Sequence, residues 1–77
     1  MNNVRRKNLA KVVAKIEELR AELEELCYQE QDYLDNIPEN LQSSERYERA
    51  EEAVDALEEA LSSLEESVES IEEAIGQ

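Results

Sequence analysis

Two apolar repeats on either side of one proline constrain this chain more than any other feature. In the first run Leu9, Val12, Ile16, Leu19, Leu23, Leu26, Glu30, Tyr33 and Ile37 follow an alternating spacing of three and four, broken in polarity only at Glu30. In the second, Tyr47, Ala50, Val54, Leu57, Leu61, Leu64, Val68, Ile71 and Ile75 repeat the spacing without a break. That periodicity lays one apolar stripe along each of two helices and has no counterpart in a strand. Between the runs, Asp35 to Ser44 holds the only proline, Pro38, which disfavours helix at Ile37. Ser43 or Ser44 supplies an N-cap oxygen, with Glu45 and Glu48 in the turn that follows, and Gly76 stands where a C-cap belongs.

The expectation is a single all-α domain over residues 1–77: helix at about 3–35, loop at about 36–43, helix at about 44–75. A short connection makes two such helices antiparallel neighbours, a coiled-coil-like hairpin. Pairing positions that sum to about 80 sets Tyr33 on Tyr47, Leu26 on Val54, Leu19 on Leu61 and Val12 on Val68. Val13, Cys27 and Leu34 widen the stripe of the first helix, and Ala53, Ala60 and Ala74 widen that of the second. One partner helix does not cover so broad a face in so short a chain, which points to a homo-oligomer, a four-helix bundle or larger.

Charge is unevenly placed. The 77 residues carry a formal net charge of −13, yet residues 1–20 hold six basic and two acidic groups while residues 21–77 hold two basic and nineteen acidic ones. Folding back sets Arg5, Arg6, Lys7, Lys11 and Lys15 beside Glu65, Glu66, Glu69, Glu72 and Glu73, an attraction that offsets cations at a helix N-terminus and anions at a C-terminus. The overall sign argues against nucleic acid or an anionic membrane as the main ligand. With no His, one Cys and no run of about 18 apolar residues, the chain offers no zinc set, no nucleophile–base pair and no membrane span. A rod has no cleft for paired carboxylates, so neither an enzyme nor a bound metal or cofactor is expected, and Cys27 reads as a buried or semi-buried filler. The charged start and the single cysteine fit a soluble, cytoplasmic protein.

All three tyrosines (Tyr28, Tyr33, Tyr47) and both later arginines (Arg46, Arg49) fall near the turn, around Glu30. A Glu30 carboxylate paired with Arg46 or Arg49 would fix register, as polar core groups do in coiled coils. The same cluster is composed like a binding hot spot, rich in Arg and Tyr. Tyr28 faces away from the stripe. Arg5, Arg6 and Lys7 form a second cationic group at a helix N-terminus, a combination suited to phosphate. Glutamates at 51, 52, 58, 59, 65, 66, 72 and 73 line helix two in pairs; they read as a solvated face or as a nucleic-acid-mimicking ridge that a basic partner would bind.

The string Asp35-Asn36-Ile37-Pro38-Glu39-Asn40-Leu41-Gln42-Ser43-Ser44-Glu45-Arg46-Tyr47-Glu48, set between Leu/Glu heptads, resembles a group of short acidic helical-hairpin proteins of low-GC Gram-positive bacteria and their phages. The resemblance implies a free-standing phage or mobile-element accessory protein that binds a host factor or antagonises host defence. It carries no residue-level activity. Three rival readings follow from the residues: a sponge for an anionic nucleotide, with Arg and Tyr side chains forming pockets in the oligomer; an acidic decoy; and a purely structural dimer.

Overall fold

A computed structural model describes residues 1–77 as a hairpin of two long helices, α1 (Asn3–Asp35) and α2 (Glu45–Ile75), joined through a 3-10 turn at Glu39–Leu41. The pair forms a slab 59 × 16 × 12 Å in extent, two helices wide and one deep. No helix is long and apolar enough to cross a membrane.

Local chemistry sets the boundaries. Asn2 caps α1, its side-chain oxygen accepting from the Arg5 amide at 2.8 Å. At the other end the Asn36 amide returns to the Asp32 carbonyl at 3.1 Å, and the Asn36 side chain donates to the same oxygen at 2.6 Å. Pro38 has no amide to extend the ladder, so the chain tightens into the 3-10 turn, with Leu41 N donating to Pro38 O at 2.8 Å. Ser44 then serves both sides of the junction: its hydroxyl donates to Leu41 O at 2.6 Å and accepts from Tyr47 N at 3.3 Å. The residues expected to be plain loop therefore hold a short helical turn of their own. Gly76 closes α2 in right-handed geometry, φ −71°, with its amide on Glu72 O, so no left-handed cap is formed.

The helices meet along a single seam. On α2 the buried and half-buried side chains are those the repeat selects, from Tyr47 and Ala50 to Ile71 and Ile75, together with Ala53, Ala60 and Ala74 beside it. On α1 the seam is rotated by about one residue from the expected stripe. Leu9, Ile16, Leu23, Glu30 and Ile37 remain on it, but their partners are Arg6, Val13, Arg20, Cys27 and Leu34. Cys27 and Leu34 are 8 % exposed, whereas Leu19 and Leu26 are 58 % and 55 % exposed, and Val12 and Tyr33 also face outward. The expected layers Tyr33–Tyr47, Leu26–Val54, Leu19–Leu61 and Val12–Val68 are replaced accordingly.

The turn causes the rotation. Ile37 tucks against Ala50 and Val54, and Leu34, one turn earlier, follows it inside to complete the one compact apolar cluster, against which Tyr47 packs. With Leu34 inward, its neighbour Tyr33 must point out, and the helical period carries the same choice back to Cys27, Arg20 and Val13.

No large side chain is wholly buried, so this cluster anchors the hairpin. Leu34→Ala removes most of one wall and should cost about 2 kcal/mol, lowering the thermal midpoint by roughly 10 °C for a chain this small. Leu41→Ala, in the exposed 3-10 turn, should change stability by no more than about 0.5 kcal/mol. Thermal unfolding followed by circular dichroism measures both; equal losses would place the anchor elsewhere.

Candidate functional site

The last two turns of α1 and the first of α2 bring four of the expected site residues together. Glu30, Tyr33, Arg46 and Arg49, with Ala50 as floor, line an open depression of about 300 Å³ beside the turn. Arg46 and Arg49 stand on one side of α2 because three residues make nearly one helical turn. Both lie at a helix N-terminus, where backbone amides already add positive potential. Arg46 is the cation an anionic group would meet there, with the Glu30 carboxylate in the same depression opposing it.

The expected carboxylate–guanidinium pair does not form. Glu30 is half-buried and makes no ion pair; Arg49 turns instead to Glu45, one turn back on its own helix. Both partners of that pair are largely solvated, so it adds little stability. The Arg46 guanidinium forms neither an ion pair nor a hydrogen bond within the chain. Glu30 and both arginines border the same depression, but their charged groups stay beyond ion-pair distance of each other and Arg49 is drawn to Glu45 on its own helix.

The other expected members lie elsewhere. Tyr47 is half-buried against Leu34, Ile37, Ala50 and Val54 and belongs to the core. Tyr28 is exposed among Glu25, Gln29, Gln31, Asp32 and Asp35, on a different side of α1 from the arginines. At the open end, about 36 Å from Glu30 along α1, Arg5, Arg6 and Lys7 fan out over different faces and do not converge. Arg6 reaches across to α2: its Nε donates to Ile75 O at 3.1 Å and its Nη1 to Asn3 Oδ1 at 3.2 Å. A cation thus neutralises the carbonyl end of α2, which its own acidic last turns do not. The broad pairing of the basic head with Glu65 to Glu73 is absent.

Arg20 was the residue that periodicity passed over. It sits on the seam, with Nη1 3.3 Å from Glu17 and Nη2 4.0 Å from Glu65, the only ion pair that joins the two helices. Its place three residues before Leu23 and four after Ile16 is the available signal, because it continues the repeat in the rotated frame. One side of the seam is lined by Glu17 and Glu24 from α1 and by Glu51, Glu58, Glu65 and Glu72 from α2, and Arg20 is the cation set among them.

The acids as a whole are partitioned. Every acidic residue of α2 lies on that side or on the outer back of the helix. The opposite side carries Arg46, Ala53, Ala60, Ser67 and Ala74, flanked by Arg49, Ala56, Ser63 and Ser70. On α1 the adjoining row is Val12, Leu19, Leu26 and Tyr33.

Glu30 is a half-buried carboxylate without a partner on an otherwise apolar stretch of seam. Glu30→Leu should raise stability by about 1 kcal/mol, a gain of several degrees in midpoint. An unchanged or lower midpoint by calorimetry would show that the carboxylate is solvated well enough at this position to carry no burial penalty. Comparison with protein-family models, with curated proteins and with solved structures finds no match for this chain.

Proposed function

We propose that this chain is a non-enzymatic, oligomeric binding protein, an accessory factor of a phage or mobile element that engages a host protein through the depression beside its turn. The observation that carries the reading is Arg46: an arginine with no intramolecular partner, beside Tyr33 and Arg49 at a helix N-terminus, in a chain with 21 acidic residues. A guanidinium left free amid so many carboxylates is available to an incoming carboxylate or phosphate, and Tyr33 supplies an apolar ring next to it. The resemblance of the loop string to short hairpin proteins of phages supports the accessory role. The antagonism of host defence belongs to the same reading and rests on that resemblance alone.

A protein fits the depression better than a free nucleotide does. The floor is open and only one ring borders it, since Tyr47 is held in the core and Tyr28 lies among acids. The acidic-decoy reading rests on a separate observation, the unbroken glutamate rows on the outer back of α2, Glu52, Glu59, Glu66 and Glu73.

The test is affinity capture from host extract with the native chain and two variants, followed by titration of the captured protein. Arg46→Ala should weaken binding about tenfold or more, the usual effect of removing a charged hot-spot side chain. Glu59→Gln with Glu66→Gln should leave binding unchanged. Loss with the Glu variants and retention with Arg46→Ala would replace this reading by the decoy. A nucleotide that raises the melting temperature in an Arg46-dependent way would replace it by the sponge.

A further inference from the structure

We infer that the acid-free side of the hairpin is the surface on which a second copy of this chain docks, forming a four-helix bundle. The inference names the contact behind the oligomeric part of the proposed function, and it stands whether or not the depression binds a host protein.

Charge is the first argument. The rows that face this side carry one carboxylate, Glu22; Glu30 opens onto it from the seam, and Glu25 and Glu66 border it from the outer backs of the helices. A solvated helix face in so acidic a chain has no reason to be cleared of carboxylates, whereas a face that meets its own copy must be, because like charges brought together in an interface oppose it. Cations here stand only toward the ends, Arg5 and Lys15 at one and Arg46 and Arg49 at the other. The acidic sides and backs of both copies would point outward to water.

Shape is the second. Val12, Leu19, Leu26 and Tyr33 form a bulky, exposed row on α1, and the neighbouring surface of α2 is built of Ala and Ser. A twofold axis parallel to the helices sets the bulky row of each copy on the small-residue surface of the other, α1 against the partner copy's α2, with every neighbour antiparallel. At matching heights Val12 and Leu19 of one copy meet the shallow groove that Ser63, Ser67, Ser70 and Ile71 line on the other, with Glu66 at its rim. Bulky side chains entering a surface of small ones keep the helices at the usual spacing of about 8–10 Å.

Size is the third. From Arg5 to Tyr33 the row runs about 42 Å, and two packed helices are about 18 Å across, which gives roughly 750 Å² per copy. A standard stable interface buries about 800 Å² per partner. A hairpin with no wholly buried large side chain gains from it the core that it lacks.

Analytical ultracentrifugation of the whole chain tests this. The native chain, 8.9 kDa, should sediment at twice that mass at micromolar concentration. Leu19→Glu with Leu26→Glu should shift it to the monomer mass. Ala56→Glu with Ser63→Glu, at exposed positions off the hairpin's own seam, should do the same and guards against misfolding of the first variant. Glu18→Gln on the outer back should leave the dimer intact. A native chain that stays monomeric at 100 times that concentration, or a dimer that survives either charged pair, overturns the inference. Host-protein capture reads Arg46 and is scored separately.

Discussion

Everything in this molecule hangs on one helix–helix seam, and on which way α1 is turned along it. The cluster of Leu34, Ile37, Ala50 and Val54 beside the turn fixes that rotation, and 3.5-residue periodicity transmits it through α1. Because Leu34 is inside, Cys27, Arg20 and Val13 are inside as well, and the larger row Val12, Leu19, Leu26 and Tyr33 is left in water. The seam keeps most of the large aliphatic side chains of both helices, and the row from Val12 to Tyr33 is the part of the apolar surface that it leaves exposed.

Electrostatics follows the same division. Acids crowd one edge of the seam, where Glu17 and Glu65 flank Arg20, and they cover the outer backs of both helices. Close to the open end Arg6 supplies the positive charge that the acidic C-terminal turns of α2 lack, through the Ile75 carbonyl. The long-range attraction between a basic head and an acidic tail is present in the charge distribution, but the only ion pair it yields between helices is that of Arg20. Elsewhere the cations are solvated, and the free guanidinium of Arg46 is the one that falls next to an aromatic ring in a depression.

Much of the fold was legible from residue spacing: two helices, their ends within a residue or so, the cap at Ser44 and the antiparallel return. The rotation of α1 was not, because two heptad frames overlap there. Both contain Leu9, Ile16, Leu23, Glu30 and Ile37; one adds Val12, Leu19, Leu26 and Tyr33, the other Val13, Arg20, Cys27 and Leu34. Summed hydrophobicity favours the first. What decides for the second is tertiary: the path of the turn, and an arginine that is better placed beside Glu65 than in open water. The candidate site was half legible for the same reason. Arg46, Arg49, Tyr33 and Glu30 do meet, but the inward turn of Tyr47 and the outward divergence of Tyr28 depend on which side of each helix faces the seam. The expected Glu30 pair fails although Glu30, Arg46 and Arg49 border one depression, because spacing shows which residues share a height and not how near their charged groups come, and Arg49 has Glu45 one turn away on its own helix.

The rotation of α1 is most directly tested by the reactivity of the one native thiol. Cys27 is buried on the seam and the adjacent Tyr28 is exposed, so maleimide labelling of Cys27 in the folded chain should be slowed by about 100-fold or more relative to the unfolded chain, the opening penalty of a packed position. A cysteine placed by Tyr28→Cys, with Cys27→Ala, should label within a few-fold of the unfolded rate, as an exposed helix position does. Equal, rapid labelling at both positions would mean that Leu26 and its row face α2 after all, and the acid-free side would lose the bulky row that makes it a surface.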